Sequence, residues 1–311
     1  MITIRLGTFT PSVLLDVCRR TGTLERAGLA VEESPVPSSP AQFASLESGE
    51  LDAVFTSPDN VIAYRFVADN PLGRLIEVSV VAALDRGLGL SVWTAPPFPS
   101  AEQVRGAVVG VDVPTSGFAF VAYELLARLG LPRDAYTLAK LGATPKRADA
   151  LAGASIAATV LNAGNELRAE SRGCHPQLRA SAIGPYLGTV LARRDDAGRQ
   201  TRDAVDRLAD ALLETASAVL RGEHDDRVTD AATRLLGLGP RDASRHLACL
   251  CDPQEGLVVD GIADRPSIAT LVSLRAAYLP HAGLSAVLPA LPEWVLPRAL
   301  GEPSAADLSD G

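Results

Sequence analysis

The stretch that decides the fold is Gly49-Glu50-Leu51-Asp52-Ala53-Val54-Phe55-Thr56-Ser57-Pro58-Asp59-Asn60. A glycine stop precedes a short apolar run, Leu51 to Phe55, which ends in a corner of hydroxyls, proline and acid. Val61, Ile62, Tyr64 and Phe66 then recur at helical spacing. Ser57 suits a helix N-cap and Pro58 the first helical turn. Alone, the corner is a helix cap. It becomes a wall of a binding site only if other corners meet it.

The same recipe recurs along the chain. Ile2 to Leu6 leads through Gly7-Thr8-Phe9-Thr10-Pro11 to Val13, Leu14, Val17 and Cys18, and Leu29 to Glu33 leads through Ser38-Ser39-Pro40 to Phe43 and Leu46. Ala107 to Val111 leads through Asp112-Val113-Pro114-Thr115-Ser116-Gly117 to Phe118, Val121, Leu125 and Leu126. Thr137 to Leu141 leads through Thr144-Pro145 to Ala148 and Leu151. Alternating strands and helices of this length predict an α/β fold with mostly parallel sheets. Four corners read Ser or Thr before Pro, with the hydroxyl expected at the N-cap. In such sheets every corner lies at a strand's carboxyl end, where ligands bind, so the corners are expected to converge. An approximate internal repeat, Leu46 to Ser57 against Ala150 to Asn162, predicts two similar lobes.

With 311 residues the chain is long enough for two domains, and 47% hydrophobic against 21% charged residues is a globular profile. A net charge of -8 without basic runs argues against nucleic acid or an anionic membrane surface as partner. No apolar stretch approaches the ~18 residues of a membrane span. The start, MITIRLGTFTPS, lacks a leader, which predicts a cytoplasmic protein as written, or a periplasmic or cell-surface one if a leader was removed. Cys18, Cys174, Cys249 and Cys251 have no disulfide-framework spacing and are expected to be thiols. Beyond Leu191 the pattern turns helical: Thr201 to Arg221 reads as one amphipathic helix with Val205, Leu208, Leu212, Leu213, Ala216 and Leu220 on one face. The tail from Leu288 to Gly311 is expected to drape over a surface or fray.

Several ordered phrases resemble the NMT1/THI5-like branch of the type II periplasmic binding protein superfamily. They are Thr21 to Glu32, Leu46 to Ala53, Val104 to Val111, Lys140 to Leu151 and Ser273 to Tyr278. The resemblance implies a two-lobed fold with a hinge and an interlobe cleft. Lobe I would comprise residues 1–86 and 190–311, including the carboxy-terminal helices, and lobe II residues 87–189. The crossovers would lie near Ala82 to Leu90 and Leu187 to Arg193. It also implies a small-molecule ligand, and an ABC permease as partner if the chain is exported. The chain departs from the family in lacking an export signal, in Ala157 standing where the family places an Asp, and in lacking the cysteine-rich motif of the thiamine-pyrimidine synthases.

The expected cleft is lined from the first lobe by Thr8, Phe9, Thr10, Ser38, Ser39, Thr56, Ser57 and Asp59. From the second lobe come Thr115, Ser116, Gly117, Phe118, Asn162 and Asn165, with Trp93 and Tyr186 near the crossovers. Hydroxyls and free amides at helix starts hold a carboxylate, sulfonate or phosphate, and aromatic rings stack on a flat heterocycle such as a pyrimidine. Each corner is also an ordinary capped turn and each ring also a core residue. The leading expectation is ligand binding with lobe closure, without metal or cofactor. The rival is a cytoplasmic decarboxylase, dehydratase or lyase on the same fold, with Asp59 as the catalytic candidate. His175, His224, His246 and His281 fall outside the corners and are expected to be structural or solvated.

Overall fold

In the computed structural model, which describes residues 1–301, ten strands form two five-stranded sheets. They are β1 (Ile2–Thr8), β2 (Leu29–Pro35), β3 (Ala53–Thr56), β4 (Val78–Asp85), β5 (Ser91–Thr94), β6 (Val108–Val111), β7 (Thr137–Lys140), β8 (Ala158–Leu161), β9 (His175–Arg179) and β10 (Thr189–Arg194). The first sheet has the order β2-β1-β3-β10-β4 and the second β7-β6-β8-β5-β9. The two orders superimpose, with β3 and β8 in equivalent places. The repeat seen in the sequence is thus a repeat of topology, and the fold is α/β with two sheets flanked by helices.

Each sheet is parallel except for one strand. β1 runs parallel to β2 and β3, whereas β10 is antiparallel to β3 and β4; β6 runs parallel to β7 and β8, whereas β5 is antiparallel to β8 and β9. The odd strand is in each case the one that has just arrived from the other sheet, with no helical crossover to turn it round. The first passage, Arg86 to Leu90, holds three consecutive residues in the left-handed region: Gly87 at φ 117°, Leu88 at 48° and Gly89 at 76°. Leu88 tolerates this at a cost that glycine avoids.

The helices that matter for the cleft are α1 (Val13–Arg20), α2 (Ser39–Ser48), α3 (Pro58–Phe66), α4 (Gly117–Arg128), α5 (Thr144–Ala152) and α6 (Asn165–Glu170). Of the four Ser/Thr-Pro corners, only Ser57-Pro58 has the expected register, with Ser57 as N-cap of α3. Elsewhere the cap is the residue before the hydroxyl pair would place it, or after it: Ser12 caps α1, Ser38 caps α2 and Ala143 starts α5. Pro is therefore often the second helical residue, which its missing N–H permits equally well. The two repeat turns also differ. Gly49 is left-handed at φ 77°, but Gly153 is at φ -82° and Ala154 takes the positive φ at 53°.

Four further helices close the chain: α7 (Arg199–Leu220), α8 (Asp225–Leu236), α9 (Pro240–Leu250) and α10 (Arg265–Tyr278). α7 packs Val205, Leu208, Leu212 and Ala216 on the first sheet. Leu220 is its last residue and is exposed, while Val219 points inward instead. α10 packs against both α3 and α4, so it touches helices from both sheets. The tail is not draped as far as residue 301. Short helices Leu291–Trp294 and Pro297–Leu300 dock on β4, where Trp294 is fully buried edge-on to Phe66 and the Leu296 amide donates to Val80 O at 2.9 Å. The remainder of that expectation lies outside the described residues.

Candidate functional site

A cavity of about 130 Å³ lies between the two sheets. One water needs roughly 10–15 Å³ on this measure, so the space suits a compact ligand of on the order of ten heavy atoms. The first sheet's corners contribute Thr8, Phe9, Thr10, Thr56 and Ser57. Across from them lie Ser116, Gly117, Phe118 and Asn162, with Asp112, Thr144 and Arg147 beside them. The crossovers add Asp85, Leu88 and Thr189, and α8 and α9 close the back with Leu236, His246 and Leu250.

Arg147 dominates the electrostatics. It is 1% exposed, and its guanidinium donates to Gly142 O at 2.5 Å, Thr144 Oγ1 at 3.0 Å and Val160 O at 3.4 Å. No carboxylate lies within ion-pair distance of it among the described residues. Burial pushes its pKa down to about 10, opposed by the negative charge of Asp112, so it remains a cation at neutral pH. Burial likewise pushes the Asp112 carboxyl up, opposed by Arg147. Asp112 Oδ2 accepts from the Ser39 amide at 3.4 Å, and Oδ1 has no partner. A buried cation without a contacting anion is costly, and an anionic ligand relieves that cost.

Hydrogen bonds tie the two walls together at several points. The Ala143 amide donates to Pro37 O at 3.1 Å, and Asn165 Nδ2 donates to Thr10 Oγ1 at 3.2 Å. Arg275 of α10 forms a two-pronged ion pair with Asp59, at 2.8 and 2.6 Å, and also donates to Thr115 O at 3.2 Å. Asp85 joins the crossovers, its Oδ1 accepting from the Gly87 amide at 2.8 Å and the Thr189 amide at 3.2 Å.

Seven of the sequence-derived candidates are not in the cavity lining. Asp59 has each carboxylate oxygen bonded to the Arg275 guanidinium and lies outside the cavity lining. Thr115 offers its carbonyl to the same guanidinium. Ser38 caps α2, and Ser39 reaches Asp112 through its amide. Asn165 serves as the bridge to Thr10. Tyr186 is buried beside Gly87, and Trp93 donates to Ser91 Oγ at 2.8 Å and faces a different cavity.

Sequence reading missed Arg147 and His246. Arg147 carried a signal: a cation in the first turn of a helix opposes the helix dipole and so calls for another partner. His246 carried none, because α9 reaches the cavity only through tertiary packing. It is 2% exposed, and burial pushes its pKa down to about 4, which keeps it neutral. Among the described residues no group of three His, Cys, Asp or Glu is placed to hold a metal ion.

No protein-family model matches the sequence, and a search of curated proteins finds no match. Solved structures do match. A protein from Bordetella bronchiseptica RB50 is similar with a TM-score of 0.74 at 18% identity, over 95% of this chain and 94% of that one. The ligand-binding component of an ABC-type import system from Staphylococcus aureus, solved with zinc bound, has a TM-score of 0.72 at 14% identity, over 98% and 99%. The alkanesulfonate-binding protein SsuA from Xanthomonas axonopodis pv. citri, bound to MOPS, has a TM-score of 0.69 at 14% identity, over 95% and 96%. The fold is the periplasmic-binding-protein fold. At these identities the likeness concerns architecture, and ligand and activity rest on the site itself. No described helix is long and apolar enough to cross a membrane.

Proposed function

We propose that the chain binds a small organic anion, a carboxylate or sulfonate on a compact or flat skeleton, in the cleft between its two sheets. The observation that carries this reading is Arg147, a fully buried cation lining the cavity with no carboxylate in contact. Thr8, Thr10, Thr56, Ser57, Ser116 and Asn162 supply neutral polar groups, and Phe9 and Phe118 supply ring faces. We divide the chain into lobe I, residues 1–86 and 190–311, and lobe II, residues 87–189, with closure about the crossovers. The ordered phrases shared with the NMT1/THI5-like branch, and the alkanesulfonate-binding neighbour, support the anion class. An ABC permease is the partner that accompanies this reading if the chain is exported.

The test is a thermal-shift panel of carboxylates, sulfonates and pyrimidines on wild type and Arg147→Met. An anion at a hundredfold excess over its Kd adds about 2.7 kcal/mol of stability. That gain is expected to vanish in Arg147→Met. An anion that stabilises both proteins equally refutes the role of Arg147, and a hit recovered chemically changed after incubation would replace binding with catalysis.

A further inference from the structure

A second cavity, of about 380 Å³, lies on the other side of the first crossover. Leu88 lines the cleft, whereas Gly89 lines this cavity; likewise α9 presents His246 and Leu250 to the cleft but Arg245 and Cys249 to the second space. Its walls include Trp93 on β5, Glu166 on α6 and Arg179 on β9.

Arg179, Arg245 and Glu255 are paired; of the two lining acids without an ion pair among the described residues, Asp252 is exposed and Glu166 is buried. Arg179 bonds Glu255 at 2.5 Å, and Glu255 also accepts from Ser181 at 2.7 Å. Arg245 is held by Glu170 at 2.7 Å and Asp242 at 3.1 Å. Glu166 is 5% exposed, its Oε2 has no hydrogen-bond partner, and it forms no ion pair among the described residues. Both lining cations are already engaged, Arg179 by Glu255 and Arg245 by Glu170 and Asp242, so neither is free to pair with Glu166. Trp93 uses its indole N–H on Ser91 Oγ, so its ring is what it presents to an occupant. A buried carboxylate and an aromatic ring lining one cavity are the groups that take an organic cation.

We propose that this cavity is a second ligand site, for a small organic ammonium ion held by the Glu166 carboxylate against the Trp93 ring. No group of three metal-ligating side chains is placed there among the described residues, so the cation is not a coordinated metal. Without an occupant, burial pushes the Glu166 carboxyl up to about 8. The groups facing it are Arg179 from β9, Arg245 and Cys249 from α9, and Asp252 and Glu255 beyond α9, with Glu170 paired to Arg245. Burial raises the Cys249 thiol as well, so it stays neutral. Proton and ammonium therefore compete for one carboxylate, and binding weakens on acidification.

The test is nuclear magnetic resonance of the two tryptophan indole N–H groups in the full chain, titrated with n-propylammonium chloride against sodium chloride at matched ionic strength. Trp93 lines the cavity and Trp294 is buried on β4. We expect a saturable shift of the Trp93 signal alone, about tenfold weaker binding at pH 6 than at pH 7, and loss of the shift in Glu166→Gln. Arg147→Met should bind propylammonium like wild type, which separates this site from the cleft. The proposal is overturned by no saturable shift, by an equal shift with sodium, by affinity independent of pH in wild type, or by a folded Glu166→Gln that responds like wild type. The pH series keeps the test valid should Glu166→Gln fail to fold.

Discussion

Replacing Arg275 with Met tests the contact on which both walls of the cleft converge. The Arg275 and Asp59 side chains are 2% and 1% exposed. The guanidinium makes two bonds to the carboxylate, one to Thr115 O, and sits 4.9 Å over the Phe120 ring. Met fills most of the volume but leaves the Asp59 carboxylate buried with no cation, which costs about 3–5 kcal/mol. The double variant Asp59→Asn/Arg275→Met removes both charges and is expected to recover most of that loss, because a buried pair is worth little net against neutral groups of similar size. Urea unfolding of wild type, both single variants and the double variant gives the coupling energy directly. A loss under about 1 kcal/mol in Arg275→Met, the size of an exposed pair, would refute the reasoning, as would a double variant no more stable than the worse single one.

Gly117→Ala should strike the same contact from the other side, since its Cβ would lie 2.7 Å from Asp59 Cβ and Oδ2; a lowered thermal midpoint is expected, and an unchanged one would contradict the packing. Gly142→Ala would place a Cβ 2.3 Å from Pro37 O at φ 74°, so scattering should report a more open molecule with weaker cleft binding. His246 has its pKa lowered from 6.5 to about 4. Between those values the unfolded chain binds a proton that the folded chain refuses, so stability falls on acidification, by about 3 kcal/mol in full; His246→Gln should flatten that slope in urea titrations. Glu166 works in the opposite sense: with its pKa raised from 4.5 to about 8, the folded chain holds a proton that the unfolded chain releases. Stability should therefore fall as pH rises through that window, and Glu166→Gln should abolish the fall.

Much of the architecture is legible in local pattern. Val54 and Phe55 leading to Ser57-Pro58, and the parallel passage through Ala158 to Leu161, mark strand–corner–helix units because period, cap and turn chemistry are all local properties. The reversed strands β5 and β10 were not legible, since direction within a sheet depends on where the chain comes from. Nor was the register of three of the four Ser/Thr-Pro corners: Pro40 and Pro145 take the second helical position, which accepts Pro as the first does, and Pro11 precedes the helix that Ser12 caps. The tail through Gly301 reads as rich in Pro and small residues, yet Trp294 anchors it through an edge-on contact with Phe66, more than two hundred residues away in sequence.

For the cleft, the hydroxyl corners, Thr8 to Thr10, Thr56-Ser57 and Ser116 to Phe118, are visible in sequence because each is a helix start. What each corner does is not. Asp59 reads as a catalytic or ligand-binding acid until α10 delivers Arg275 to it, and Arg147 draws no notice in the sequence until Val160 and Gly142 enclose it. The sequence alone determines where strands, corners and helices fall, because periodicity and capping act within a few residues. Only the tertiary structure decides which charges are neutralised and which face the cavity, because that depends on groups brought together from far apart and on the water their burial excludes.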